Sequence, residues 1–224
     1  MTKIELTKRY ALFTVSLFFI GLGIALTKRS LLGITPISSV PNILSLRFPM
    51  LSLGSWLFCF NCLFVLTQVL LLRRKFPPVQ LLQIPMTFLS SCFTDLGVWV
   101  VSVIPNDAYA VRLAMVIVGT TVLGFGITLS FVANVVMNPA EAFVKTVSDL
   151  TKKNVGSIKI VLDVSCVLAS VVLSMLLFGG SIQGTREGTL IAAIGSGLAV
   201  KFFKPRVSPV LERLLSGQKA AESH

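Results

Sequence analysis

The sequence predicts an all-α membrane protein of about six transmembrane helices in two inverted three-span repeats. Three observations predict it: the apolar composition, the length of the apolar runs, and an ordered self-similarity between the two halves. Of 224 residues, 54% are hydrophobic and 13% charged, with a mean hydropathy of +0.87. Ordinary globular domains carry roughly 25% charged residues, and a water-soluble fold of this size could not enclose so much apolar surface.

A helix needs about 20 apolar residues to cross the hydrocarbon core. Runs of that length occur at Tyr10–Thr27, Leu51–Leu72, Val79–Ile104 and Val111–Met137, and a fifth, Ser157–Phe178, is interrupted by Lys159 and Asp163. The sixth, Gly188–Phe203, is short and glycine-rich. In lipid each backbone group must be satisfied locally, so these runs are predicted as helices. Tyr10–Thr27 has no A-x-A-like cleavage site and continues into Lys28-Arg29, so it is expected to be a span and not a signal peptide. Two shorter stretches, Thr35–Leu46 and Pro139–Leu150, each place a proline at a first helical turn behind Thr35 or Asn138. At about a dozen residues, roughly 18 Å, they cannot cross a core of about 30 Å. They are expected to be re-entrant or interfacial half-helices.

Gly21-Leu22-Gly23-Ile24-Ala25-Leu26 matches Gly124-Phe125-Gly126-Ile127-Thr128-Leu129 at an offset of 103, as Thr35-Pro36 matches Asn138-Pro139 and Ser45 matches Ser148. After the loss of one residue, Gly54-Ser55 matches Gly156-Ser157, Asn61 matches Asp163, and Thr87-Phe88-Leu89 matches Thr189-Leu190-Ile191 at 102. Ordered matches with shared punctuation indicate duplication. The chain is expected to form one membrane domain, 1–224, with repeats at 9–104 and 110–205 and a cytoplasmic tail at 206–224. Three spans per repeat invert the second half.

The formal charge is +11. With the N-terminus inside, fourteen Lys and Arg fall on the inner side and five (Lys28, Arg29, Arg47, Arg112, Arg186) on the outer, with Lys159 unassigned. The positive-inside rule therefore puts both termini in the cytoplasm and explains the basicity without nucleic acid. Lys28-Arg29, directly after the first span, fits that rule poorly.

Gly21-x-Gly23-Ile24, then Leu32-Gly33-Ile34-Thr35-Pro36, then Leu53-Gly54-Ser55-Trp56 resembles the YczE/YyaS/YitT family of bacterial membrane proteins. Gly124-x-Gly126-Ile127, Asn138-Pro139-Ala140-Glu141 and Glu187-Gly188-Thr189-Leu190 resemble its second-half signatures. The resemblance spans roughly residues 10 to 205 and implies a multi-pass protein of the bacterial plasma membrane.

Asp163 lies in the fifth span among Val161, Leu162 and Val164. A carboxylate at mid-helix costs about 2.5–3.5 kcal/mol on the insertion scale, so it should face a cavity or a partner. Lys159, four residues earlier, can form a local ion pair, and the repeat-mate Asn61 can share a central cavity or hydrogen-bond another helix. Thr35 and Asn138 open helix N-termini that suit anions, and Glu141 in the first turn of the second half-helix can bind solute or serve the dipole. Asp95 is a further intramembrane carboxylate, a site residue or a polar contact between helices.

Cys59, Cys62, Cys92 and Cys166 lie in apolar runs, and Cys59-x-x-Cys62 lacks a neighbouring base to stabilise a thiolate. The one histidine is the last residue, and no phosphate loop, metal-ligand cluster or nucleophile elbow appears, so neither enzyme, metal nor cofactor is expected. The expected partners are the bilayer, a small-molecule solute and further copies of the chain. Two functions remain open: a small-solute transporter or solute-binding protein, and a non-transporting scaffold or accessory subunit. The inverted repeat argues against a vitamin-binding subunit of an energy-coupling transporter.

Overall fold

A computed structural model describes residues 3–216. Its helices are α1 (Lys3–Arg29), α2 (Pro36–Arg47), α3 (Leu53–Leu72), α4 (Gln83–Val101), α5 (Tyr109–Ala133), α6 (Pro139–Thr151), α7 (Val155–Leu177) and α8 (Glu187–Ser216). Short 3-10 turns at Arg73–Lys75 and Pro78–Leu82 join α3 to α4, and no strand occurs among the described residues. The order long, short, long, long thus occurs twice.

Among the described residues five helices are long and apolar enough to cross a membrane: α1, α3, α4, α5 and α7. The expected sixth differs. In α8 the apolar stretch ends at Lys201, yet the helix runs on to Ser216 through Pro205 and Pro209. Residues 206–216, expected as tail, continue this helix, and 217–224 lie outside the described residues. The fourth apolar run also ends early. Asn134 takes the left-handed conformation (φ 47°) and stops α5, leaving 134–138 irregular. Asn tolerates that region better than most residues.

Each short helix starts at a proline, whose missing N–H costs nothing in a first turn. α3 and α7 start on side-chain caps. Ser52 Oγ accepts from Ser55 N–H at 3.0 Å, and Asn154 Oδ1 from Gly156 N–H at 2.7 Å.

The centre of the molecule is the α1–α5 crossing. A Cβ on Gly23 would stand 2.7 Å from Gly119 O, and one on Gly126 2.8 Å from Ile20 N, so these backbones touch where a side chain would hold them apart. α4 packs on the far side of α1 and α8 on the far side of α5. A Cβ on Gly21 would meet Thr94 N of α4, and one on Gly124 would meet Ala199 Cβ of α8. The short helices cross over: α2 packs on α7, and α6 on α3. One relation is not shared. α3 packs on α4, whereas α7 makes no comparable interface with α8 and is the least enclosed of the five long apolar helices.

Candidate functional site

Between these helices lies a cavity of about 330 Å³. α2 and α6 both start at its wall. Gln68 Nε2 donates to Pro139 O at 3.0 Å and to Phe64 O at 3.2 Å, which fixes the first turn of α6 on α3. On α2, Ser39 Oγ donates to Pro36 O at 2.5 Å and lies 3.2 Å from Cys166 O of α7. Phe64 and Cys166 stand at the 102 offset, so each half ties the other's short helix at an equivalent place.

The walls repeat that register. Ile20 and Leu123, Ile24 and Ile127, Thr35 and Asn138, and Ser38 and Glu141 all line the cavity at an offset of 103. Leu57 and Lys159, Asn61 and Asp163, and Thr94 and Ser196 line it at 102. Every charged member of these pairs comes from the second half.

Six of the seven residues expected at a site therefore meet here: Thr35, Asn61, Asn138, Glu141, Lys159 and Asp163. Lys159 Nζ donates to both Asp163 oxygens, at 2.5 and 2.6 Å, so the local ion pair forms and stands in the cavity wall. Its side chains remain 38% and 24% exposed. Glu141 forms no ion pair among the described residues and stands in the first turn of α6 behind Asn138, in the same cavity wall as Lys159. Thr35 Oγ1 donates to Ser38 Oγ at 2.8 Å. Asn61 makes no side-chain hydrogen bond among the described residues, against the interhelical bond that was one expectation for it.

Asp95 is the exception. It lies outside the cavity, on the face of α4 that meets α3. Its Oδ1 accepts from Gly54 N–H at 2.8 Å and its Oδ2 from Ser52 O–H at 2.5 Å. The carboxylate is an acceptor for the free N–H groups that begin α3, which explains a charge at this depth without a ligand.

Sequence reasoning missed Gln83. It lines the cavity at 1% exposure, and its Oε1 is buried without a partner. Its Nε2 lies 3.5 Å from Gln68 Oε1, beside the first turn of α6. Gln68 and Gln83 stand near the ends of apolar runs and read as boundary polarity. The signal lay in their mates, Ser170 and Thr185, whose hydroxyls share a hydrogen bond of 3.0 Å.

The cavity is closed unequally. Gly33, Ile34 and Thr35 are consecutive, yet Thr35 lines this cavity and Gly33 a second pocket toward the end of α1. Ile34 between them is 0% exposed and packs in an apolar cluster with Ile24, Leu53, Leu57 and Leu123. Its mate Met137 lines the cavity and is 43% exposed.

Residues 7–205 match the model of a family of unknown function, DUF6198. The chain is 24% identical over 200 residues to an uncharacterized protein, YyaS, of Bacillus subtilis (strain 168), covering 89% of this chain and 94% of that one. No solved structure matches. The match bears out the resemblance read from the Gly21, Thr35-Pro36 and Asn138-Pro139 motifs.

Proposed function

Since the chain belongs to the family of unknown function DUF6198, its role has to be read from its own cavity, and we propose that it binds and transports a small solute across the bacterial plasma membrane. The observation that carries this reading is the cavity itself. It brings Lys159, Asp163 and Glu141 together with the first turns of two half-helices, in a chain whose long helices are membrane-like. Charges in such a place are costly unless they face a cavity or partners. Half-helix N-termini near mid-bundle add N–H groups and partial positive charge.

On this reading the two halves are inverted repeats and α8 is a sixth span. The paired cavity residues, the reciprocal packing of α2 on α7 and α6 on α3, and the matched glycine contacts support it. The basic-residue count then puts both termini inside. Arg29, awkward on the outer side, has a local role: its guanidinium donates twice to Ile104 O, at 2.9 and 3.1 Å.

The test is untargeted mass spectrometry of small molecules co-purified with wild type, Asp163→Asn and the K159Q/D163N pair, each with its far-UV circular dichroism. A bound molecule present in wild type and lost from both folded variants is the expected result. The same molecules at the same occupancy in all three would refute it.

A further inference from the structure

The second pocket, about 550 Å³, lies at the end of the bundle where α1 ends and α5 begins. Lys28, Arg29, Arg112 and Arg186 line it, and no carboxylate does. Under the orientation proposed above, on which this step rests, these are four of the five cations assigned to the outer side. A rule that disfavours outer cations would otherwise scatter those that remain, not gather them in one concavity.

At three of the four places the other half carries no cation. The equivalents of Lys28, Arg29 and Arg186 are Phe131, Val132 and Ile84, all apolar. Only Arg112 has a basic mate, Arg9, and Arg9 is occupied: it binds Val132 O and Ala133 O at the end of α5 and pairs with Glu5.

The vestibule is built. Arg112 Nε donates to Asn106 O at 2.5 Å, and Asn106 Nδ2 donates to Arg29 O at 2.9 Å, so the segment after α4 holds both arginines in place. Those bonds leave both Nη groups of Arg112 and Nη1 of Arg29 unused among the described residues. Lys28 Nζ has no hydrogen bond or ion pair there, and Asp95 acts on it only at longer range. Arg186 meets Glu187 only at 3.4 Å and is half-exposed.

We propose that this vestibule binds a multivalent oxyanion of the phosphate class. Guanidinium forks match two oxygens of one phosphate, and four cations lining one concavity, with Glu187 on Arg186 the one carboxylate in contact with them among the described residues, favour a compact dianion over a monovalent one. Clefts lined by one sign of charge also concentrate such ions before binding. The same chemistry is offered by a free phosphate compound and by the headgroup of an anionic lipid.

The experiment uses the full chain. In zwitterionic detergent, inorganic phosphate and pyrophosphate are titrated by calorimetry against sodium chloride at matched ionic strength. In parallel, protein from phosphatidylglycerol or phosphatidylcholine nanodiscs is examined by native mass spectrometry. Arg186→Gln, a change at a half-exposed side chain, should weaken binding by about tenfold or more, the loss expected for a charge-assisted hydrogen bond. K28Q/R186Q should abolish it, and Arg47→Gln, outside the pocket, should change nothing. Calorimetric binding identifies a free phosphate compound; phosphatidylglycerol retained by wild type and lost from folded R186Q identifies lipid. No binding in either arm, or equal loss in R47Q and R186Q, overturns the proposal.

Discussion

Asp95→Ala removes two hydrogen bonds to one carboxylate, from Gly54 N–H at 2.8 Å and Ser52 O–H at 2.5 Å. Hydrogen bonds to charged groups contribute roughly 1.5–3 kcal/mol each. Ser52 keeps its own cap on Ser55 N–H, so part of the α3 terminus stays satisfied. The expected loss is therefore about 2–4 kcal/mol for D95A, and about half that for D95N, which keeps a neutral acceptor. The assay is reversible unfolding by SDS titration in mixed micelles, followed by circular dichroism, for D95A, S52A and the double variant. Because Ser52 acts partly through Asp95, the two changes should couple by about 1 kcal/mol. Solute occupancy of the folded variants should stay at the wild-type level. If D95A matches wild type within about 0.5 kcal/mol yet loses its bound solute, Asp95 is a site residue and the capping argument fails.

Three further predictions use the same unfolding assay or simple reporters. Neutralising Lys159 or Asp163 alone should cost about 1–3 kcal/mol, between exposed and buried pairs, and K159Q/D163N should cost less than the two singles summed; strict additivity would refute the pair. Gly23→Leu puts a side chain where Gly119 O lies 2.7 Å from the added Cβ, so it should destabilise the fold by at least 1–3 kcal/mol, the typical overpacking cost of about that size; a neutral effect would refute the tight α1–α5 crossing. Reporters placed after Phe203 and within the segment 106–110 should label opposite sides of the membrane, and a shared side would refute the proposed topology.

The long helices and the two short ones were legible because apolar run length and a proline behind a capping residue are local signals. α2 and α6 start where expected, at Pro36 and Pro139. The cavity was partly legible because residues at matched sequence offsets line it together: Asn61 could be paired with Asp163 before any coordinates. Asp95 stayed open between two readings because a carboxylate in an apolar run has the same sequence signature whether it meets a ligand or the start of the neighbouring helix. Gln83 was invisible for the opposite reason: polarity at a span boundary is ordinary, and its burial depends on Gln68 and α6. The helical run of α8 beyond Phe203 was not legible because Lys201 and the prolines mark the end of the apolar stretch without breaking the helix.

If the chain carries its solute as proposed, the seal at Ile34 has a consequence for movement between the two pockets. Gly33 lines the second pocket, Thr35 the cavity, and Ile34 between them in the chain is packed into the cluster of Ile24, Leu53, Leu57 and Leu123. A seal made by one cluster of side chains yields to a local displacement, whereas a bundle plugged by several turns would need a helix to leave. At the equivalent place in the other half, an unbranched and exposed Met137 provides no such seal. The two paired positions thus differ, with Ile34 buried beside the second pocket and Met137 exposed in the cavity wall. On the transport reading proposed above, exchanging the conformations of the two halves would bury Met137 and expose Ile34, so the same chain would face the other way.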